Sequence, residues 1–241
     1  MPIPQGFTPS ASQTQLEARR TAFATPPNPL DMVSESEVRD ALTERHSAAT
    51  QAKLDAARVA IAGLGGLGST IAVALTRIGV GHLHLVDFDR VDMTNLNRQQ
   101  YFLKDVGEYK TEALQANLAQ INPFVEVTID TTKVSDENVS ALFANDDIIC
   151  EAFDVPENKT LLVNVVLEQL PGKKLVSASG MAGFRSSNLV ETRRVSSNFY
   201  FCGDGVTAPK PGAGLMAPRV GIVACHEANM ITRLILGEQE A

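Results

Sequence analysis

The run Arg58-Val-Ala-Ile-Ala62 leads straight into Gly63-Leu-Gly65-Gly66-Leu-Gly68, and a helical pattern from Leu67 to Ile78 follows. That order constrains the fold strongly: a buried strand must end, turn sharply and open a helix within a few residues. Glycines at 63, 65, 66 and 68 permit the tight turn and let backbone N–H groups approach a phosphate at the positive helix N-terminus. A second strand, His82-Leu-His-Leu-Val86, ends at Asp87, 24 positions after Gly63. A carboxylate there can accept hydrogen bonds from ribose hydroxyls. The pattern implies a nucleotide site but does not choose among NAD(P), FAD and ATP. On the loop alone, an NAD-dependent dehydrogenase is the better match.

The remaining chain keeps alternating strand and helix. Helices are expected from Ser36, as a cap before EVRDALTERH, to Leu54 with a break, and over residues 110–121, 136–143 and 156–170. Strands are expected over 125–129, 148–150 and 175–178. The stretch 185–202 alternates with short turns and reads as antiparallel, residues 203–218 as a Gly/Pro-rich loop, and a last helix ends near Leu236-Gly237. This predicts an α/β, Rossmann-like architecture: a mixed, mainly parallel sheet with helices on both faces. Residues 1–34, rich in Pro, Ser, Thr and Ala, read as a flexible N-terminal extension, and 35–241 as one domain.

Composition narrows the partners. A net charge of −7 and a pI near 5.1 argue against non-specific binding to nucleic acid or anionic membrane. No apolar run approaches the roughly 18 residues a bilayer span needs. The start, MPIPQGFTPSASQ, lacks the basic and apolar regions of a secretory signal. Three dispersed cysteines, Cys150, Cys202 and Cys225, make neither a disulfide framework nor a CxxC zinc pair, so a reducing cytoplasm is the expected home.

The string DFDRVDMTNLNRQQ (87–100) favours a phosphate ligand over a dinucleotide. Asp89 belongs to this nucleotide-facing set, Asn95 can donate an amide, and Arg98 can fork onto phosphate oxygens. Lys110, opening the next helix, adds a mobile point charge. Asp154 follows the strand 148–150, where open α/β sheets place ligand-binding residues, and could hold magnesium. Singly, each has a plainer reading: Arg98 or Lys110 as a surface charge, Asp154 as a cap for the helix near Pro156.

Together with GLGGLGS (63–69), VDFDRVDMTNLNRQQYF (86–102), the Gly107–Lys110 spacing and GLMAPRVGI (214–222), these segments resemble the ThiF/MoeB family, the prokaryotic branch of the ubiquitin-activating enzyme superfamily. EAFD (151–154), GMAGFRSSN (180–188) and FYFCGDG (199–205) are similar to a compact ThiF subgroup associated with thiamine biosynthesis. The resemblance implies an ATP- and magnesium-dependent adenylyltransferase, usually a homodimer. Its implied partners are a small ubiquitin-like sulfur carrier ending in Gly-Gly and a sulfur donor. It also implies that Gly66 lies against the nucleotide, Asp87 binds ribose, Asn95, Arg98 and Lys110 contact phosphates, and Asp154 serves the metal. An arginine supplied by a partner subunit's N-terminal helix would correspond to Arg39 or Arg45. Within the superfamily, relatives adenylate a tRNA-bound carboxylate or a peptide; a non-catalytic nucleotide scaffold and an NAD(P)-dependent oxidoreductase are the other readings.

Two departures stand out. The family pattern D-C-T-D-N is replaced by Glu151-Ala-Phe-Asp154-Val155, and the family's zinc-binding CxxC pairs are missing, so no structural zinc is expected. Among the cysteines, Cys202 beside the 203–218 loop is the candidate for a covalent role, Cys150 and Cys225 being placed in apolar elements; with no positive group near it in sequence, a structural role is the better reading for Cys202 too. His82 and His84 share a strand face, but without a third ligand they, like His46 and His226, read as solvated or hydrogen-bonded histidines.

Overall fold

Side-chain alternation along the strands decides the layers. In strand β1 (Arg58–Ala62), Val59 and Ile61 pack into one core and Ala60 and Ala62 into another, all fully buried. Strand β4 (Ile148–Glu151) repeats this, with Ile148 and Cys150 on the first side and Ile149 on the second. These relations come from a computed structural model in which residues 33–241 are described. The expected N-terminal extension lies outside the described residues except for Val33 and Ser34.

The described strands form one sheet in the order β3-β2-β1-β4-β5-β7-β6. The others are β2 (His82–Val86), β3 (Glu126–Asp130), β5 (Lys174–Ala178), β6 (Glu191–Arg194) and β7 (Phe199–Gly203). Five pairings are parallel, and β6 runs antiparallel to β7, so the sheet is mixed as expected. Helices α3 (Gly66–Arg77), α4 (Lys110–Ala119) and α7 (Ala217–Leu236) cover one face. Helices α5 (Val139–Leu142) and α6 (Pro156–Gln169) cover the other. Leu67, Ile71, Ala72 and Leu75 of α3 recur at helical spacing and disappear into the first core. Among the described helices, none is long and apolar enough to cross a membrane.

The N-terminal helical region breaks where expected. Helices α1 (Glu35–His46) and α2 (Ala48–Ala56) meet at Ser47, which holds φ 77° and accepts the Thr50 N–H on its hydroxyl. The first helix begins at Glu35, so Ser36 lies inside it instead of capping it. The expected helix over 136–143 shortens to α5 because Asn138 turns back on its own chain. Its amide accepts the Ser135 N–H at 2.8 Å and donates to the Lys133 carbonyl at 2.9 Å, a turn that competes with a helical start.

Order in the sheet places a crevice. The chain leaves β1 toward β2 and β3 on one side and returns through β4 on the other, so the connections diverge after β1 and β4. Ligands in open α/β sheets bind outside the carboxyl ends of the strands at such a switch point. The backbone there is drawn close: a Cβ on Gly68 would lie 1.8 Å from the Gly63 carbonyl oxygen, and one on Gly63, at φ +93°, 2.8 Å from the Ala152 oxygen. Any side chain at either position would push β1, α3 and the turn after β4 apart.

The paired histidines on β2 are hydrogen-bonded. His82 Nε2 meets the Arg58 guanidinium at 3.3 Å and the Thr128 hydroxyl at 3.0 Å; burial, then Arg58, lowers its pKa. His84 is clamped by Asp146 at Nδ1 and Asp130 at Nε2, both at 2.9 Å. Burial opposes its charge, but Asp146 and then Asp130 outweigh burial and raise its pKa. Two carboxylates on two ring nitrogens require both to donate, as imidazolium does. Because the folded pKa lies above the unfolded value, this stabilisation is complete below about pH 6.5 and is lost as pH rises through the folded pKa. Thermal midpoints recorded between about pH 6 and about pH 9 should therefore fall more steeply for the wild type than for His84→Gln. Identical slopes would show that the clamp carries no proton-linked stability.

Candidate nucleotide site

Three connections build the cleft at the switch point. The glycine turn after β1 supplies Gly63, Gly65 and Gly66, the segment after β2 supplies Asp87, Asp89, Arg98 and Gln99, and the turn after β4 supplies Phe153 and Asp154. Lys110 at the start of α4, Lys159 on α6 and Thr207–Pro209 complete the walls around about 570 Å³, a volume suited to a small ligand. The apolar part of the lining includes Leu67, Met181, Leu215 and Val220.

Asp87 holds the floor. Its Oδ2 accepts the Leu64 N–H at 2.7 Å and its Oδ1 the Asp89 N–H at 2.8 Å. One carboxylate thus fixes the glycine turn and starts the next segment back across it. Tyr101 secures the same turn by donating its hydroxyl to the Leu64 carbonyl at 2.8 Å. Burial first, then Asp87, Asp105 and Asp89, push this phenol up, so it remains a donor. Nothing in the motif marked Tyr101; only a buried aromatic directly after the polar string could have suggested it.

The glycines divide by what needs them. Gly63 and Gly68 are demanded by backbone crowding, and Gly68 is not part of the cleft wall. Gly65 is different: a Cβ there would meet only Gln99 Nε2 at an ordinary 3.7 Å. The bare backbone at Gly65, the N-cap of α3, leaves helix N–H groups open toward the cleft. Gln99 itself is buried, its Oε1 has no hydrogen-bond partner among the described residues, and it escaped the sequence reading.

The cations are held. Lys110, expected as a mobile charge, is instead only 6% exposed and pairs with Asp89 at 2.8 Å and Asp87 at 3.9 Å. Its place at the first position of α4 next to Asp89 explains the capture: the Lys110 N–H also bonds the Asp89 carbonyl. Arg98 donates to the Asn97 side chain at 2.9 Å and the Thr94 carbonyl at 3.3 Å, with its stem along the cleft. Asn95 stands outside the wall. Its side-chain oxygen accepts the Asp92 N–H in a reciprocal cap of the short helix Met93–Asn95.

Asp154 faces the cleft from the exposed turn before α6. It does not cap that helix, whose N-cap is Val155 with no side-chain bond, and its carboxylate has no hydrogen-bond partner among the described residues. The 203–218 loop is anchored at its start. Asp204 accepts the Val206 and Thr207 N–H groups and pairs with Arg219 of α7 at 2.8 Å, while Arg219 also donates to the Arg185 carbonyl at 3.1 Å. Burial works against the Asp204 charge, yet the Thr207 and Val206 N–H groups, the Thr207 hydroxyl and Arg219 hold its pKa at about 2.

Cys202 does not fit a covalent role. It is fully buried on β7, and burial, then Glu227, push its thiol up to about 12. Cys150 is equally buried and its thiol is also raised, by burial first. Strand alternation turns Cys202 inward despite its place beside the loop, in line with the structural reading of this cysteine. The exposed cysteine is Cys225, on α7 and outside the cleft wall.

Comparison with known proteins agrees with this fold. The ThiF family matches residues 38–241. The adenylyltransferase and sulfurtransferase UBA4 of Candida glabrata is 31% identical over 195 residues, 78% of this chain and 44% of that protein. The adenylyltransferase and sulfurtransferase MOCS3 of Caenorhabditis briggsae is 34% identical over 145 residues, 59% of this chain and 35% of that one. The chain thus spans less than half the length of these relatives. In fold it resembles E. coli tRNA N6-threonylcarbamoyladenosine dehydratase TcdA in complex with ATP, with a TM-score of 0.76 at 20% identity, covering 86% of this chain and 97% of that one. It also resembles E. coli MccB with AMPCPP and MccA, with a TM-score of 0.64 at 22% identity, covering 88% and 68%. With the family's pattern running through nearly all the described residues, the chain belongs to the ThiF family.

Proposed function

We propose that this chain adenylates the C-terminal glycine carboxylate of a small ubiquitin-like sulfur carrier, using ATP and magnesium, in the sulfur transfer of thiamine biosynthesis. The observation that carries the proposal is that Arg98, Lys110 and Asp154, the last unpartnered among the described residues, line one cleft with the open backbone of Gly65. A nicotinamide cofactor needs no such set, whereas phosphoryl chemistry needs cations and a metal-binding oxygen. Two curated relatives named above carry adenylyltransferase in their names.

In this reading Asp87 receives the ribose hydroxyls, and Arg98, Lys110 and the α3 N–H groups hold the phosphates. Asp154 suits magnesium: a hard oxygen donor, exposed to the cleft, and alone, as befits an ion that keeps several waters and binds substrate phosphates. When bound, the metal would neutralise charge on the phosphates. The incoming carboxylate is already ionised near pH 7, so no general base is needed. It attacks the α-phosphorus, the bond to pyrophosphate breaks, and a carboxyl–AMP anhydride remains. Catalysis is then positioning and charge stabilisation.

The carrier tail would enter past Thr207–Pro209. These residues also wall a second hollow of about 700 Å³ with Phe184, Val206 and Lys210, so the two hollows share this stretch of chain. A homodimer is part of the proposal, supported by exposed Met93, Phe102 and Leu103 on the segment after β2. Arg39 is tied to Asp55 at 2.5 Å, which leaves exposed Arg45 as the arginine for a partner's site. With two thiols buried and the third outside the cleft, an external sulfur nucleophile attacks the acyl carbon, the bond to AMP breaks, and AMP leaves.

Carrier-dependent ATP–pyrophosphate exchange tests the proposal. Exchange should require magnesium and the carrier's terminal glycine, and Asp154→Ala should lower it by at least ~10²-fold with an unchanged thermal midpoint. Undiminished exchange by that variant would remove Asp154 from the mechanism, and tight NADH binding without ATP binding would replace the proposal by an oxidoreductase. Thiol titration of the native protein should modify Cys225 alone. A variant with all three cysteines replaced by alanine or serine should keep its exchange rate within about threefold; complete loss in a folded variant would reinstate a covalent thiol.

A further inference from the structure

One buried carboxylate, separate from the groups that face the ligand, ties the turn carrying Asp154 to the rest of the fold. Glu151 ends β4 and is fully buried. Its Oε1 accepts the Phe153 N–H at 2.8 Å. Lys159 of α6 donates to both oxygens, at 3.0 and 2.9 Å, and the Ser177 hydroxyl of β5 donates to Oε2 at 2.5 Å. A buried charge persists only when paired and hydrogen-bonded, and these donors do both.

The main-chain bond gives this ion pair a task beyond stability. Residue 153 lies between Glu151 and Asp154, so fixing its N–H fixes the direction in which the chain leaves β4. The Phe153 ring is also set against the glycine turn: a Cβ on Gly63 would lie 2.9 Å from Phe153 Cδ1. Where the family pattern begins with Asp, the longer Glu151 side chain can fold back to the N–H two residues on while still reaching Lys159 and Ser177.

We propose that Glu151, clamped by Lys159 and Ser177, is a positioning residue that sets the 152–155 turn so that Asp154 meets the metal–nucleotide. This rests on the reading of Asp154 as the metal carboxylate. Groups that orient metal ligands from behind typically change metal affinity ~10–100-fold when removed. The inference therefore separates metal-dependent from metal-free binding, which a purely structural ion pair would not do.

The experiment titrates manganese into the full-length protein with ATP, following free manganese by electron paramagnetic resonance, and measures ATP binding in EDTA by calorimetry. Glu151→Gln should weaken manganese–ATP binding by ~10–100-fold and leave metal-free ATP binding within about threefold. Ser177→Ala, which removes a donor to Glu151 from outside the cleft wall, should show the same split. Thermal midpoints check that each variant is folded. If Glu151→Gln does not fold, Ser177→Ala carries the test. Wild-type manganese affinity in the folded clamp variants, or an equal loss with and without metal, overturns the proposal. Asp154→Ala in the same titration distinguishes the two readings. Loss there with intact binding in the clamp variants removes only the positioning role, whereas wild-type binding by Asp154→Ala removes the metal assignment and this inference with it.

Discussion

The hydrogen bond from the Leu64 N–H to Asp87 Oδ2 joins the parts on which the cleft depends. Leu64 belongs to the turn leaving β1 and Asp87 to the end of β2, strands paired in parallel along their whole length. In such a pair the sheet satisfies the backbone within the strands but leaves the first residues beyond them without ladder partners. Asp87 supplies one side-chain acceptor for two of these N–H groups, at residues 64 and 89. Its position therefore fixes the glycine turn and the departing segment together. The carboxylate proposed for ribose is also what holds the ribose site open.

Crowding elsewhere at the switch point follows from that junction. Gly68 can pass the Gly63 carbonyl because neither carries a side chain, and this brings the N-terminus of α3 down against β1. The turn after β4 closes on the same spot from the other side, with Ala152 against Gly63. Three chain segments thus meet with almost no side chain between them. The polar groups that reach the cleft come from one step further along each segment: Gly65 after β1, Asp89 and Arg98 after β2, Asp154 after β4.

Sequence patterning made much of this legible because it is local. The continuous apolar runs of β1 and β4, buried on both faces, the glycine turn and the long apolar stripe of α7 are each written within one element. The mixed sheet was readable from the short alternating stretch that became β6 and β7. Long-range relations escaped. Lys110 could be assigned a charge but not its capture by Asp89, 21 positions earlier. Cys202 was judged by its neighbouring loop, while its exposure was decided by the strand face it occupies under α7. Glu151 and Tyr101 belong to the same class: polar or amphipathic residues whose partners lie in other elements or in the chain's own turn.

Charge gives a final reason for the arrangement of the cleft. The chain is acidic, at −7, yet its proposed ligand is a polyphosphate. A lone buried cation would attract any anion and would be costly to desolvate without one. Lys110 avoids that state by pairing with Asp89 and Asp87, and the partly buried Arg98 donates to its own neighbours. The cleft is consequently close to charge-neutral, with Asp154 adding a negative group at the opposite wall. A bare polyphosphate gains little from such a site, because the cations it would use are already occupied. On the proposed function, one that brings a divalent ion would gain twice: the ion would satisfy Asp154 and draw off phosphate charge, while Lys110 would need only to share its donors. Selectivity for a metal-bound nucleotide would then arise from how the cations are held, with the carboxylates around Lys110 as part of the recognition.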